Sequence, residues 1–164
     1  MKRKFFFLYI DGTLAVGTPG NQYVPESTKI AISKLKEAGH FVAIATGRSY
    51  AMAVEHMKEL GFENMVSDGG NGITIHNKLV EIKPLDYDKC INLINECKEK
   101  GYIWAISPDN ATRRLAPDNR FYDFTHDIYM DTIVQEGLDP KDFDKIYKVY
   151  VACYAPEEEK PGNL

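Results

Sequence analysis

The segment FFFLYIDGTL, residues 5–14, gives the first indication of the fold class of this chain. Its first part is a continuous apolar run, typical of a strand that is buried on both faces. The run ends abruptly in Asp11-Gly12-Thr13, and acidic turns at strand ends are where open α/β sheets place their chemistry. The turn alone is weak evidence, because Asp and Gly are also ordinary turn residues.

The sequence that follows predicts alternating strands and helices. Apolar stretches predict strands over 4–10, 40–46 and 63–72, and amphipathic stretches predict helices over 25–39 and 49–61. The two crossover helices imply a parallel sheet, whose functional loops lie at the carboxyl ends of the strands. Those ends carry Asp11, Thr46 and Asp68.

From about residue 72 the pattern changes to that of a separate α+β module. The predicted elements are a hairpin over 72–82, a helix over 86–100, strands near 102–107 and 112–116, helical stretches near 127–136 and 139–145, and a strand over 146–154. The polar ending APEEEKPGNL is expected to fray.

Composition limits the class of partner. The net charge of −4 and the absence of a basic block argue against nucleic-acid binding and favour a small-molecule partner. No segment is expected to span a membrane, and the apolar run after the basic start is too short for a signal peptide. The cysteines Cys90, Cys97 and Cys153 have no CxxC spacing, which indicates neither zinc nor disulfides and favours a cytoplasmic location.

A second strand end strengthens the case for an anion site. Thr46-Gly47-Arg48 follows the predicted strand over 40–46 and places a hydroxyl and a glycine amide at the same sheet edge as Asp11. Small residues let backbone N–H groups face a bound anion. Two such strand ends together favour binding of a phosphate group.

These segments resemble the haloacid dehalogenase (HAD) superfamily, and within it the Cof-type sugar-phosphate phosphatases with an inserted cap. The matching residues are DGTL at 11–14, IATGRSY at 44–50 and VSDGGNGITI at 66–75. The resemblance covers essentially the whole chain. It implies an α/β fold: a partial Rossmann-like (HAD) parallel sheet core over 1–71, then an incomplete α+β cap-like domain over 72–164.

The resemblance also implies roles for individual residues. The family motif is Asp-x-Asp-Gly-Thr: the first Asp attacks phosphorus and binds Mg²⁺, and the second protonates the leaving group and gives the metal its main-chain carbonyl. By resemblance, Asp11 is the acid/base and a metal ligand, Ile10 and Gly12 contact phosphate through the backbone, Thr46 and Gly47 grip the phosphoryl group, and Tyr9 occupies the nucleophile position.

Tyr9 is the main departure from the family pattern. A carboxylate is ionised at neutral pH and can share its oxygens between magnesium and phosphorus, whereas a phenol is largely protonated and offers magnesium little. We expect the Tyr9 ring to pack in the core or to fill the vacated site. A phosphotyrosine-type intermediate is the alternative.

The family's later motifs are a second departure. A lysine and a Gly-Asp pair normally follow the cap, but this chain has no Gly-Asp dipeptide and stops inside the cap-like region. One edge of the first strand is therefore expected to be unpaired, and a homo-oligomer or a missing C-terminal half would cover it.

Two hypotheses about function follow. The first is a magnesium-dependent phosphatase of small phosphorylated metabolites that is impaired or inactive in this chain. The second is a non-catalytic phosphate-ligand binding protein, or a truncated fragment that needs a C-terminal half or a partner.

Three other groups of residues are given structural interpretations. His126, Asp127 and Asp131 indicate a solvated helix start rather than metal ligands. Cys90 and Cys97 share a helix face and indicate core packing. Arg113 and Arg114 alternate faces if they lie on a strand, so at most one of them can point at a ligand, and a surface role is the default expectation.

Overall fold

The computed structural model describes residues 2–18 and 21–152, which form two compact units. The first unit runs to Lys83 and includes Asn110–Thr112, and the second comprises Pro84–Asp109 and the described residues from Arg113 onward. The boundary predicted after residue 71 thus falls inside the first unit. The polar ending predicted to fray lies outside the described residues.

The first unit is built on a five-stranded sheet. In chain order its elements are β1 (Phe5–Tyr9), β2 (Val16–Thr18), β3 (Asn21–Tyr23), α1 (Glu26–Glu37), β4 (Phe41–Ala45), α2 (Tyr50–Glu59), β5 (Met65–Ser67), β6 (Gly72–Ile75) and β7 (Lys78–Ile82). The sheet order is β1-β4-β5-β6-β7. Strand β4 pairs in parallel with both β1 and β5, so the predicted parallel sheet of an α/β fold is confirmed.

The hairpin of β6 and β7 corrects the predicted organisation. It was expected in the second module, but β6 pairs antiparallel with β5 and extends the first sheet. The reversal takes place in a short 3₁₀ turn over Asp68–Gly70, where a glycine-rich segment adopts backbone angles that most residues avoid.

Apolar faces of the two helices cover the sheet. Ile32 of α1 and both Ala53 and Met57 of α2 are buried against Val42 and Ile44 of β4. Helix α2 begins after the N-cap Ser49, whose side chain accepts a hydrogen bond from the Met52 amide at 3.4 Å. These helices fix the ends of β1, β4 and β5 at one edge of the unit.

The second unit contains a four-stranded sheet in the order β10-β9-β8-β11. In chain order its elements are α3 (Tyr87–Lys100), β8 (Ile103–Ser107), β9 (Arg113–Ala116), α4 (Arg120–Thr125), β10 (Asp131–Val134) and β11 (Lys148–Ala152), with a 3₁₀ turn at Pro140–Asp142. Cys90 and Cys97 are buried on α3, which confirms their predicted place in the core.

The helical stretch predicted near 127–136 is wrong. The helix α4 ends earlier, where His126 adopts a left-handed backbone conformation, and β10 then pairs in parallel with β9. The segment Thr132-Ile133-Val134 is β-branched throughout, which favours a strand once a neighbouring edge is present.

Arg114 lies in the interior of the second unit, and the default expectation of a surface role for it is wrong. Arg114 is buried, while its neighbour Arg113 is exposed. The Arg114 guanidinium lies 4.6 Å from the ring centroid of Phe121 and binds the Asp127 carboxylate at 2.8 Å. Asp127 is therefore an ion-pair partner and not part of a solvated helix start, and Asp131 lies on β10.

We predict that Asp127→Ala destabilises the protein. The substitution leaves the Arg114 charge buried without its carboxylate, and lost hydrogen bonds to charged groups cost about 1.5–3 kcal/mol. Urea denaturation followed by circular dichroism measures the free energy of unfolding. Glu96→Ala, which removes an exposed ion pair with Lys100 on α3, is the control and should leave stability nearly unchanged. Equal effects of the two substitutions would contradict the prediction.

Candidate functional site

The parallel pairing of β1 with β4 brings the ends of the two strands together. Tyr9 lies opposite Ala45 in the register, so the segments that follow each strand leave the sheet at the same edge. There the Arg48 Nη2 atom lies 2.7 Å from the Asp11 Oδ1 atom. One arginine side chain thus joins the Asp11 turn to the Thr46-Gly47-Arg48 turn, which the sequence had predicted to share an edge.

The turn after β1 is held by backbone hydrogen bonds. The Ala15 amide donates to the Ile10 carbonyl at 2.8 Å, and Gly12 has a φ of +71°, which favours glycine. Ile10 and Leu14 are buried and anchor the turn in the core. The phosphate contacts predicted for the Ile10 and Gly12 backbones stay predictions, and this fixed turn is the structure on which they depend.

The turn after β4 is held from two sides. The Arg48 amide donates to the Thr46 Oγ1 atom at 3.1 Å, and the buried Thr46 is tied to the neighbouring segment because the Gly69 amide donates to its carbonyl at 3.2 Å. The Asp68 amide donates to the Arg48 carbonyl at 2.8 Å. The third strand end thus supports the second.

Asp68 is a structural carboxylate at this edge. Its side chain is buried, its φ is +55°, and its Oδ2 atom accepts hydrogen bonds from the Tyr50 amide at 3.0 Å and the Ser67 hydroxyl at 2.8 Å. A negative charge at the first turn of α2 also suits the helix dipole. The absence of a side chain at Gly72 leaves room for the hydrogen-bonded pair of Ser67 and Asp68. A Cβ at this position would lie 2.1 Å from the Ser67 Oγ atom and 2.8 Å from the Asp68 Oδ2 atom.

Two residues that the sequence analysis did not single out complete the cluster around Arg48. Gln22 of β3 accepts from Arg48 Nη2 at 3.3 Å through Oε1 and donates to Asp11 Oδ1 at 3.2 Å through Nε2. The His56 Nε2 atom lies 3.1 Å from Arg48 Nη1 and must be the acceptor, because a guanidinium only donates. No local pattern marks either residue, since β3 and α2 bring them to the site from elsewhere in the chain.

The cluster determines the charge of Asp11. Burial raises the pKa of Asp11, but the hydrogen bonds from Arg48 and Gln22 and the guanidinium charge outweigh it and hold the pKa below its usual value. At neutral pH the group is therefore a carboxylate. A carboxylate can accept a proton or a hydrogen bond, but it cannot donate one.

Tyr9 does not lie where it was expected. Its side chain is exposed, on the same face of β1 as Phe5 and Phe7, and does not pack in the core. The reason is the period of the strand: successive side chains alternate faces, and Phe6 and Leu8, on the other face, are the ones that pack against the core.

Comparison with known proteins identifies the family to which this arrangement belongs. A sequence profile described as haloacid dehalogenase-like hydrolase matches residues 6–161. The chain belongs to the haloacid dehalogenase-like hydrolases. The resemblance to the haloacid dehalogenase superfamily that the sequence predicted is confirmed.

Individual relatives agree with this assignment. The chain is 30% identical over 119 residues to the Bacillus subtilis (strain 168) protein named "Putative phosphatase YkrA", a match over 73% of this chain and 45% of that protein. A crystal structure of a hypothetical protein from Geobacillus kaustophilus HTA426 is 27% identical, with a TM-score of 0.67 over 95% of this chain and 60% of that one. The HAD subclass IIB sugar phosphatase BT4131 shares the fold, with a TM-score of 0.57, 21% identity and coverage of 81% and 53%.

Each match covers a larger share of this chain than of the relative. The chain spans about half the length of the relatives it matches, from 45% to 60%.

HAD hydrolases generally depend on magnesium, which prefers carboxylate and carbonyl oxygens. Among residues 2–18 and 21–152, no group of three or more His, Cys, Asp or Glu side chains could hold a metal ion. The Asp11 carboxylate is engaged by Arg48 and Gln22, and position 9 offers a phenol. The metal role of Asp11, through its main-chain carbonyl, stays a prediction.

We predict that Arg48→Met raises the pKa of Asp11. The substitution removes the strongest group that favours the carboxylate and leaves the effect of burial. The pKa can be followed by the ¹³C shift of the Asp11 carboxyl carbon during an NMR pH titration. In the unsubstituted chain the ion pair contributes stability above the pKa of an unfolded Asp, and that contribution is lost as pH falls through the lowered folded-state pKa. An unchanged titration in Arg48→Met would show that Arg48 does not control the charge of Asp11.

Proposed function

We propose that this chain is a Cof-type HAD scaffold that binds the phosphate group of a small phosphorylated metabolite and hydrolyses it slowly or not at all. The observation that carries the proposal is the meeting of Asp11 with the Thr46-Gly47-Arg48 turn, beside a strand that has tyrosine at position 9. Because the chain spans about half the length of its relatives, the substrate, the turnover and the partners of the whole protein all belong to this proposal.

Arg48 is the group best suited to receive a phosphate. Its side chain is largely buried, so the guanidinium is held in one place, and it already binds an anionic oxygen of Asp11 at 2.7 Å. A planar guanidinium matches the geometry of phosphate oxygens and can bind two of them. The Thr46 hydroxyl and the Gly47 amide belong to the same turn and extend the site toward β4.

Hydrolysis needs two further chemical steps, and the chain is poorly equipped for both. Attack on phosphorus needs an ionised nucleophile, whereas a phenol at position 9 is largely protonated at neutral pH. Protonation of the leaving group needs a carboxylic acid, whereas Arg48 and Gln22 hold Asp11 as a carboxylate. Asp11 could be protonated and act as an acid only after a bound phosphate had replaced it as the hydrogen-bond partner of Arg48.

A non-catalytic phosphate-ligand binding protein is the second candidate, and the same two observations favour it. A fragment that turns over only with a C-terminal half or a partner is the third form of the proposal, supported by the relative lengths of the matched proteins. No helix of the described residues is long and apolar enough to cross a membrane. A cytoplasmic location, expected from the cysteine content, is part of the proposal.

We predict that the unsubstituted chain and Tyr9→Phe release phosphate from p-nitrophenyl phosphate at the same low rate in the presence of magnesium. Tyr9 is exposed, so removing its hydroxyl should leave the fold intact and test the chemistry alone. Continuous absorbance of released nitrophenol measures the rate. Rapid release by the unsubstituted chain that Tyr9→Phe abolishes would overturn the proposal in favour of a tyrosine nucleophile.

We predict that inorganic phosphate binds at Arg48. Losing a charge-assisted hydrogen bond costs about 1.5–3 kcal/mol, so Arg48→Met should raise the dissociation constant by about tenfold or more. Isothermal titration calorimetry measures it directly. Arg113→Met is the matched control, because Arg113 is an exposed arginine of the second unit that pairs with Asp109. Equal affinities of the two variants would place the phosphate elsewhere, and no binding by the unsubstituted chain would exclude the binding function.

A further inference from the structure

The second unit contains a cavity of about 270 Å³ at the end where helix α3 finishes. Strands β9 and β10 are parallel and β8 is antiparallel to β9, so the start of β8 and the ends of β9 and β10 lie together. The residues that line the cavity come from the segments 97–104, 117–120 and 137–138 of this unit. None of them belongs to the candidate site, so an inference about this cavity goes beyond the proposed function.

The inner wall of the cavity is apolar. Trp104 lines it and is only 4% exposed, and the buried Cys97 and Leu138 line it as well. The volume is slightly below the range of roughly 300–1,000 Å³ that is typical of pockets for drug-sized ligands. The cavity therefore suits a molecule with a small, compact apolar group.

The indole N–H of Trp104 has no hydrogen-bond acceptor among the residues that the structure describes. In that part of the chain, the fully buried side-chain polar atoms without a partner are Thr74 Oγ1 and Asp109 Oδ1, so the Trp104 Nε1 atom keeps contact with solvent. A buried tryptophan usually finds an acceptor for its N–H. An unpaired donor on a residue that lines a cavity indicates that the cavity receives an acceptor.

The charged groups of the lining favour an anion. They are the Lys98 ammonium, the Arg120 guanidinium and the Asp118 carboxylate, and two cations against one carboxylate leave a net positive charge. The Lys98 Nζ atom lies 5.4 Å from the centroid of the Trp104 ring, so a cation and the unpaired N–H belong to one wall. The carbonyl of Cys97 at the end of α3 does not oppose an anion, because it already accepts a hydrogen bond from an amide at 2.9 Å.

Asp118 holds Arg120 in place without occupying all of its donors. The Asp118 Oδ2 atom lies 3.0 Å from Arg120 Nε and 2.8 Å from Nη2, which leaves the Nη1 donors for a further oxygen. These hydrogen bonds lower the pKa of Asp118 and raise the pKa of Arg120, so both groups are charged at neutral pH. A ligand with one negative charge would balance the lining, whereas Asp118 would repel a dianionic phosphate monoester.

We propose that this cavity binds a small organic monoanion, a carboxylate attached to a compact apolar group. The carboxylate oxygens accept hydrogen bonds from the Trp104 N–H and from the two cations of the lining. The apolar group packs against the indole ring and the buried side chains beside it. Cation and N–H donors at one wall and apolar side chains at another recognise the two parts of such a molecule.

The fluorescence of Trp104 tests the proposal on the full chain, because Trp104 is its single tryptophan and lines the cavity. Phenylacetate is the probe, and excitation at the red edge of tryptophan absorption avoids the tyrosines. Its titration should change the emission to saturation. Phenylacetamide, which has nearly the same shape and no charge, should bind about tenfold more weakly. A linear response without saturation, or equal affinities of the two probes, would overturn the proposal.

Lys98→Met and Arg120→Met test the contacts to the anion. Both residues are exposed, so the substitutions should leave the fold intact, and each should raise the dissociation constant of phenylacetate by about tenfold. Lys89→Met is the matched control, because Lys89 lies on the same helix as Lys98, pairs with Asp86 and does not line the cavity. It should bind phenylacetate as the unsubstituted chain does.

Inorganic phosphate separates this cavity from the candidate site at Arg48. Phosphate should not displace phenylacetate, whatever its own affinity for the chain, so the two proposals can fail independently. Displacement of phenylacetate by phosphate, or equal affinities of Lys98→Met and Lys89→Met, would show that the anion does not bind in this cavity.

Discussion

The parallel pairing of β1 with β4 is the constraint on which the candidate site depends. Neither strand carries a complete site, and the residues that follow them are far apart in sequence. The register from Phe5 opposite Phe41 to Tyr9 opposite Ala45 makes both strands end at the same height. Only then can the Arg48 side chain reach Asp11. A shift of the register by one residue would turn every side chain of β1 to the other face.

The second constraint is the way in which the three strand ends support one another. Asp68, after β5, receives the first amide of α2 and donates its own amide to the carbonyl of Arg48. The conformation of the Arg48 backbone therefore depends on a loop more than fifteen residues later in the chain. The conformation of this loop requires glycine at position 72, because a side chain there would collide with Ser67. The backbone at Arg48 is thus held by hydrogen bonds from the neighbouring strand end.

Tyr9 lies on the exposed face of β1 and contributes little to the core of the first unit. Its side chain is exposed, on the face of β1 that also carries Phe5 and Phe7. Strand β1 contributes to folding through its hydrogen bonds to β4. The turn that follows it contributes the buried side chains of Ile10 and Leu14.

The pattern of apolar residues and turns was sufficient to predict the parallel core and the meeting of Asp11 with the Thr46 turn. Apolar periodicity is a local property, and the parallel topology follows from alternating strands and helices. Local patterns did not predict that β6 and β7 join the first sheet, that 131–134 is a strand or that Arg114 is buried. It also brought Gln22 and His56 to Arg48. These outcomes depend on which distant edge or ring is available, and free energies of pairing and burial at distant contacts outweigh the weak preferences of short segments.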